Sequence, residues 1–274
     1  MDRNQRKTAA EETVAICKAG QYLLPGGSQV DVREEISRAV KGTVLYSLED
    51  LPRLSTGPGT TATKLEVTNE TTFSAVTRLR EATGHVACLN FASAKNPGGG
   101  FLNGSQAQEE ALARSSALFP CLLAAPGHYE RNRANRSALY LDLAIFSPQV
   151  PFFRDDTGKL LPKPILASVI TAAAPNAGAI RANEPAKVSL IAPTLERRTE
   201  IVLHIAQAHA VDRLVLGAWG CGVFQNDPVL VARSFIKLLT APGKFNGVFK
   251  VVVFAIYDRS ENQGTYRAFR ANIL

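Results

Sequence analysis

The sequence predicts a single α/β domain with a largely parallel sheet covered by helices on both faces. Short apolar runs of the buried-strand type recur along the chain, at 85–91, 138–146, 165–171, 213–217 and 248–257. Helical patterns separate the last three runs. Strands that alternate with helices are typical of parallel sheets with both faces buried.

The composition agrees with one globular domain that has a large core. The chain has 274 residues, of which 46% are hydrophobic and 20% charged. No apolar run approaches the roughly 18 residues needed to cross a bilayer, and residues 1–20 lack the apolar centre of a secretion signal. We expect a soluble cytoplasmic protein with no membrane partner. Because no long linker or repeat interrupts it, we expect one domain over 1–274, with an N-terminal helical elaboration over about 1–60.

The elements are predicted in order from local signals. Asp2 is a candidate N-cap for a helix over 3–18 that ends before Gly20. Further elements are two turns (24–28 and 55–60), an extended segment (65–69) and four helices (71–82, 106–118, 195–210 and 228–239). Asp227 followed by Pro228 is a strong start signal for the last helix.

The net charge excludes few classes of partner, and the cysteine and histidine patterns do not indicate a metal site. The net charge of +7 attracts polyanions of any kind and names no partner. The four cysteines form no C-x-x-C pair, so neither a disulfide framework nor a zinc pattern is indicated. His204 and His209 are five apart on a predicted helix, whereas a metal-binding pair is four apart. We expect no metal and no cofactor.

Two segments share one design, in which a strand leads into a glycine-rich loop and then a helix. They are 89–116, which contains Gly98-Gly99-Gly100, and 213–232, which contains Gly220 and Gly222. Such loops at the ends of parallel strands bind ligands, and glycine lets several N–H groups approach one anion. Neither loop has the spacing of a P-loop or a dinucleotide fingerprint, which disfavours an NTP-binding protein. The alternative for either loop alone is that its glycines only form tight turns.

Glu109 and Glu110 stand in the first turns of the helix expected from 106. Ser105 and Gln108 have the spacing of a capping box that would start this helix. The carboxylates could simply stabilise the helix N-terminus. Adjacent helical residues project about 100° apart, so they could also serve different roles on one substrate.

The stretch GGGFLNGSQAQEE (98–110) resembles the GGG…QEE signature of the bacterial-type poly(ADP-ribose) glycohydrolases, which are macrodomain proteins. Four further segments, 65–72, 89–100, 144–156 and 214–228, are similar to the same family in the expected order, and the resemblance runs from about 6 to about 258. It implies a macrodomain-like three-layer α/β/α fold with a largely parallel mixed central sheet. It also implies hydrolysis of poly(ADP-ribose) to ADP-ribose.

The resemblance assigns roles by position. Glu110 matches the family's general acid, Glu109 the residue that orients the ribose hydroxyls, and Gln108 completes the motif. The substrate-binding residues that it implies are Gly98, Gly99 and Gly100 at the diphosphate and distal ribose, Gly220, Cys221, Gly222 and Val223 as a second phosphate wall, Phe224 on the distal ribose, and Asn90 and Asn96 as ribose or loop-shaping contacts.

The adenine end is less sharply defined by the sequence. Glu70 could bind the adenine amine, although helix initiation by Asn69 or Glu70 explains it equally well. Phe254 could stack on adenine or be plain core. Cys221 suggests a nucleophile, but without a histidine near it in sequence a small packing residue is the better interpretation. After Asp258, Thr265 or Tyr266 could limit cleavage to chain ends.

We therefore expect a glycosidase that cleaves the ribose–ribose bonds of poly(ADP-ribose), mainly from chain ends, on poly-ADP-ribosylated proteins. The family implies reversal of ADP-ribosylation in the DNA damage response, by a monomer with no direct nucleic-acid partner. Glu110 must keep its proton near neutrality, which partial burial and Glu109 both favour. The rival hypotheses are a non-catalytic ADP-ribose-binding macrodomain and a mono-ADP-ribosyl-protein hydrolase.

Overall fold

The computed structural model describes residues 1–54, 57 and 59–274. The turn expected over 55–60 includes Ser55, Thr56 and Pro58, which lie outside the described residues. The α-helices are α1 (Arg3–Ala19), α2 (Arg33–Lys41), α3 (Thr72–Arg80), α4 (Gln108–Ser115), α5 (Leu118–Leu123), α6 (Pro126–Ala134), α7 (Ala177–Asn183), α8 (Ile191–Ala208), α9 (Pro228–Leu239) and α10 (Gly264–Ile273). Short 3-10 segments lie at Leu48–Arg53, Phe101–Asn103 and Pro185–Leu190.

A seven-stranded sheet forms the centre of the fold. The strands are β1 (Gln21–Leu23), β2 (Gln29–Asp31), β3 (Val44–Ser47), β4 (Lys64–Thr68), β5 (Val86–Phe91), β6 (Leu143–Arg154), β7 (Leu160–Ala172), β8 (Arg213–Leu216) and β9 (Val251–Ala255). The sheet order is β3-β6-β7-β5-β8-β9-β4, and β1 and β2 form a separate hairpin. The β3–β6 and β6–β7 pairs are antiparallel and the other four are parallel. The prediction of a largely parallel mixed sheet is confirmed.

Helices cover both faces of this sheet. Along β5, Val86 and Cys88 join a core cluster with residues of α1–α6, whereas Ala87 and Leu89 join a second cluster with residues of α7–α10. Consecutive strand residues point to opposite faces, so this alternation defines two helical layers. The three-layer α/β/α architecture is confirmed. No helix in the described part of the chain has the length and apolar character needed to span a membrane.

Two local start signals act as the sequence indicates. Asp2 accepts the N–H of Gln5 at 2.9 Å and caps α1, and Gly20 ends that helix in the left-handed conformation with φ 71°. Asp227 accepts the N–H of Val229 at 2.9 Å, with Pro228 as the first residue of α9. Both helices therefore start where their caps stand.

Three expectations about elements are wrong in part. The N-terminal region is not only helical, because it contains the β1–β2 hairpin and contributes β3 to the central sheet. The helix expected over 106–118 is two helices, because Ser116 is extended and bridges Phe152. The strand expected over 138–146 is β6, which begins at Leu143 and continues to Arg154; a bulge between Ser147 and Val150 accommodates Pro148, and Pro151 pairs with Leu166.

Candidate active site

A cavity of about 1060 Å³ opens at the edge of the sheet where the parallel strands β4, β5, β8 and β9 end. This volume suits a ligand of nucleotide size. The loops after these strands supply most of its lining, at 69–74, 91–93, 106–112, 220–224 and 255–259, with Ala218, Ser115 and Thr265. Asp156 and Thr157, from the tip of the β6–β7 hairpin, complete it.

Gln108 fixes the start of α4 to the end of β5. Its Oε1 accepts the N–H of Phe91 at 2.9 Å, and its Nε2 donates to Leu89 O at 2.8 Å and to Thr72 Oγ1 at 3.1 Å. The capping box expected from Ser105 is wrong, because the N-cap is Ala107 and no side chain caps the helix. Gln108 lines the cavity as predicted, but these bonds commit its amide to positioning the two glutamates that follow.

Glu109 is buried beneath the cavity, with 3% of its surface exposed. Its Oε2 accepts the N–H of Ser93 at 2.7 Å, and its Oε1 accepts Asn90 Nδ2 at 3.3 Å. Burial raises the pKa of Glu109 to about 8, and this outweighs the hydrogen bonds from Ser93 and Asn90, which lower it. The raised pKa favours the protonated form of this side chain at neutral pH.

Glu110 faces the cavity from the next position of α4. Its Oε1 accepts the N–H of Gly100 at 3.0 Å. Gly99 approaches the same carboxyl so closely that a Cβ there would collide with Oε1 and lie 3.2 Å from Glu109 Oε2. The first glycine loop thus holds the reactive carboxyl in a fixed position.

This contact gives the first loop a structural role. Gly98, Gly99 and Gly100 are predicted to approach a diphosphate, and this stays a prediction; in the structure Gly99 and Gly100 pack against the Glu110 carboxyl. The reason is that Gly98 and Gly99 turn the chain through positive φ, at 70° and 59°, back toward α4. The loop supports the site from behind.

The two asparagines shape the site from within the protein. Asn90 is fully buried, and its Nδ2 bonds Glu109 and Thr171 Oγ1, the latter at 3.2 Å. Asn96 is exposed, and its main chain shapes the loop, since its N–H donates to Ser93 Oγ and its carbonyl accepts from Gly99. The ribose contacts expected of the two side chains stay predictions.

Helix α1 lies directly behind the same loop. Arg6 Nε donates to Gly104 O at 2.8 Å, and Thr13 Oγ1 donates to Arg114 O at 2.6 Å at the end of α4. Arg154, at the end of β6, is paired with Glu12 of α1 at 2.6 Å. The N-terminal helix thus bonds both the segment from Gly104 to Arg114 and the β6–β7 hairpin.

The second glycine loop forms the opposite part of the cavity. Gly220, Cys221, Gly222, Val223 and Phe224 all line it, as predicted. Among the described residues, the N–H groups of Gly220, Gly222, Val223 and Phe224 find no acceptor, whereas that of Cys221 donates to Ala218 O. Several unpaired N–H groups in one loop form an anion-binding concavity.

Cys221 is a packing residue. Burial raises the pKa of its thiol to about 12, so it stays a thiol at neutral pH. Its Sγ lies 3.9 Å from the Trp219 carbonyl. The packing interpretation is therefore supported and the nucleophile is disfavoured.

At the far end of the cavity the structure changes the expected adenine contacts. Phe254 is fully buried against Phe235 and Phe269, so it is core and its proposed stacking role is wrong. Glu70 does line the cavity, and Arg78 pairs with it at 2.8 Å. The helix behind it is capped by Thr71, not by Asn69 or Glu70.

Three more residues line the cavity at this end, and of these Thr265 is predicted from the sequence, whereas Tyr257 and Asp156 are not. Tyr257 is 53% exposed, with the Arg259 guanidinium 4.8 Å from its ring centre. Asp156 accepts the hydroxyls of Thr71 and Ser74, at 2.5 Å and 2.9 Å. Thr265 lines the cavity, and its N–H donates to Asp258 Oδ2 at 3.0 Å. The tyrosine stands only two positions after β9, which is the one local hint.

No metal centre is apparent in the described residues. No group of three or more histidine, cysteine or carboxylate side chains there is placed to hold an ion. His204 is buried and His209 stacks on Phe146.

The comparisons with known proteins agree with this geometry. The family model described as microbial-type PARG, catalytic domain, matches residues 10–155. The poly(ADP-ribose) glycohydrolase of Thermomonospora curvata is 45% identical, with a TM-score of 0.93, and the match covers 98% of this chain and 99% of that one. The chain therefore belongs to the microbial-type PARG family.

Ligand-bound PARG structures are similar as well. The T. curvata enzyme bound to the inhibitor ADP-HPD is 46% identical, with a TM-score of 0.92 over 98% of this chain and 99% of that one. The Deinococcus radiodurans PARG in complex with ADP-ribose is 46% identical, with a TM-score of 0.80 over 86% and 96%. No curated protein matches the chain. The resemblance found in the QEE segment thus extends to the whole fold.

Proposed function

We propose that this chain is a poly(ADP-ribose) glycohydrolase that releases ADP-ribose by hydrolysing the ribose–ribose O-glycosidic bond. One juxtaposition carries the proposal: the Glu110 carboxyl faces the same cavity as the four unpaired N–H groups of the second glycine loop. Glu110 supplies a proton, and the N–H groups bind a diphosphate. A macrodomain that only binds ADP-ribose needs only the N–H groups.

Main-chain N–H groups are the main source of positive potential in the cavity. Among the described residues of its lining, the acidic side chains are Glu70, Glu109, Glu110, Asp156 and Asp258, and the basic one is Arg259. A diphosphate placed among the carboxylates would be repelled. It is therefore expected to bind at Gly220, Gly222, Val223 and Phe224.

The reaction needs one proton transfer in each direction. Glu110 donates its proton to the leaving 2′-oxygen as the bond to the distal ribose carbon breaks, and an oxocarbenium-like centre forms. The resulting carboxylate then takes a proton from the water whose oxygen bonds to that carbon. Glu110 is thus restored after each turnover. A positioned acid and base of this kind contributes about 10²–10⁴ in rate.

Glu109 orients the substrate. Because its raised pKa favours the protonated form at neutral pH, it adds no full negative charge beside Glu110, and its O–H can donate to a ribose hydroxyl. The mechanism requires a proton on Glu110 in the substrate complex, and this stays a prediction, which the loss of activity on the alkaline side of the pH–rate profile tests.

We propose that cleavage occurs mainly at chain ends, because the adenine side of the cavity is closed. Thr265 starts α10 against the cavity and is fixed there through Asp258, whereas Tyr266 packs on the core. An adenosine ribose that carries further polymer would meet Thr265.

We further propose that the protein is a monomer. We also propose that it acts in the cytoplasm on poly-ADP-ribosylated proteins during the DNA damage response. Size-exclusion chromatography and the polymer level in a deletion strain test them.

The decisive experiment compares wild type with Glu110→Gln on labelled polymer. We expect at least a 10²-fold loss of ADP-ribose release, with binding of free ADP-ribose retained. Glu34→Gln, an exposed glutamate on α2, serves as the matched control. Equal turnover by Glu110→Gln would remove this residue from the chemistry. Binding without turnover in wild type would indicate a reader, and release only from singly modified protein would indicate a mono-ADP-ribosyl hydrolase.

A further inference from the structure

The cavity has two ends along the sheet edge. The loops after β4 and β9 form one end, and the Glu109–Glu110 pair lies at the other, beside the end of β5. Beyond β5 the next strand is β7, on the side away from β4. If ADP-ribose spans the cavity with its distal ribose at the carboxylates, the chain beyond the scissile bond leaves over the β7 side.

Three exposed cations belong to segments near these strand ends: Lys95 in the loop after β5, Arg133 at the end of α6, and Arg181 on α7, the helix that follows β7. Lys95 follows two residues after Ser93, whose N–H holds Glu109. Arg133, at the end of α6, donates from Nη1 to the Lys95 carbonyl at 2.7 Å. Arg181, on α7, donates from Nη2 to the Gln225 carbonyl at 3.0 Å, one residue beyond the cavity residue Phe224. Each cation thus adjoins one of the two glycine loops.

The charges of these side chains are not neutralised by the fold. Within the described ranges none of the three forms an ion pair, and their recorded bonds go to carbonyl or amide oxygens. Glu184, at the end of α7, is already paired with Lys187 at 2.6 Å. These segments are therefore basic, while the cavity itself is lined by carboxylates.

We propose that Lys95, Arg133 and Arg181 bind the diphosphate of the unit on the leaving side of the scissile bond. This rests on the proposed function, which supplies a substrate whose leaving group is itself a pyrophosphate polymer. These three cations would attract the polymer to a cavity that is lined by acidic residues, and they would keep the leaving 2′-oxygen beside Glu110. The contact exists only with polymer, since released ADP-ribose has no leaving-side unit.

The test compares two substrates that differ in that unit. One is long polymer, and the other is an aryl ADP-riboside whose leaving group is an uncharged phenol. At low salt, Lys95→Glu is expected to lower kcat/KM for polymer about fivefold, and Lys95→Glu with Arg133→Glu about twentyfold. Both effects shrink as salt rises, while kcat/KM for the aryl substrate and the Kd of ADP-ribose stay at wild-type values.

Controls separate this site from general electrostatics and from misfolding. Lys41→Glu reverses an exposed cation just before β3, at the opposite edge of the sheet, and is expected to leave both substrates unaffected. Lys95→Glu changes a side chain that makes no recorded bond, so its melting temperature should match wild type.

The proposal is overturned if polymer turnover by Lys95→Glu equals wild type at low salt, or if both substrates slow by the same factor. If wild type hydrolyses neither substrate, the proposed function fails instead.

Discussion

Gly100 donates its main-chain N–H to Glu110 Oε1 over 3.0 Å, and this bond aims the carboxyl into the cavity. Gly99, one residue earlier, leaves no room for a side chain beside the same carboxyl. The triple glycine and the QEE segment therefore act as one structural unit.

Gly99→Ala is expected to displace Glu110. The new methyl would collide with Oε1, and φ of 59° disfavours alanine, so we expect at least a tenfold fall in kcat and a loss of about 1–3 kcal/mol of stability. Steady-state kinetics and urea unfolding measure the two effects. Gly27→Ala, at φ 87° with no atom within 4 Å of a Cβ, imposes backbone strain alone. Equal kcat values for the two variants would contradict the expected displacement.

Glu109 makes stability depend on pH. Its pKa is about 8 in the folded protein against 4.5 for the ordinary group, so the unfolded state loses this proton first. The stabilisation of the folded protein by protonated Glu109 is fully present below pH 4.5 and is lost as the pH rises toward 8. Urea midpoints at pH 5, 6.5 and 8 should fall in wild type, and Glu109→Gln should reduce the slope. Parallel pH profiles for the two proteins would show that Glu109 is not responsible.

The phosphate wall should depend on main-chain N–H groups and not on the side chain of Val223, which is 84% exposed. Val223→Pro removes one N–H and is expected to weaken ADP-ribose binding about tenfold, whereas Val223→Ala keeps it and binds normally. Isothermal titration gives both Kd values. Equal weakening in both variants would point to the valine side chain instead.

Tyr257, and not Phe254, is expected to hold the adenine base. Tyr257→Ala should weaken ADP-ribose binding by about 1–3 kcal/mol with no change in melting temperature, because the ring is half exposed. Phe254→Ala should instead cost about 3–5 kcal/mol of stability, since it empties a site between Phe235 and Phe269. A loss of affinity without destabilisation in Phe254→Ala would reverse this assignment.

The sequence predicts a structural feature well when the residues that cause it are close together in the chain. Asp2, Gly20 and Asp227 act within one helical turn of their own position, so their effects are readable. Gln108 has a capping-box spacing, but it bonds Leu89 and Phe91, nineteen and seventeen residues away. That choice depends on the docking of α4 on β5, which no local pattern encodes.

Phe254 shows a second limit. A strand alternates its side chains between two helical layers, so a residue inside the strand points into the core on either face. Of β5 and β9 only the last residues, Phe91 and Ala255, reach the cavity, and Tyr257 is the exposed aromatic that follows β9. The two glycine loops could be located from the sequence. Their different roles could not be predicted, because these depend on how the first loop folds back on α4.

Helix α1 has a consequence for shortening this enzyme. By bonding Gly104, Arg114 and Arg154, it supports the first glycine loop, the end of α4 and the β6–β7 hairpin from behind. Engineers who trim the first twenty residues to reach a minimal hydrolase would therefore remove the support behind the segment that carries Glu109 and Glu110. The lost support would appear first as poor turnover, in a protein whose sheet is still assembled.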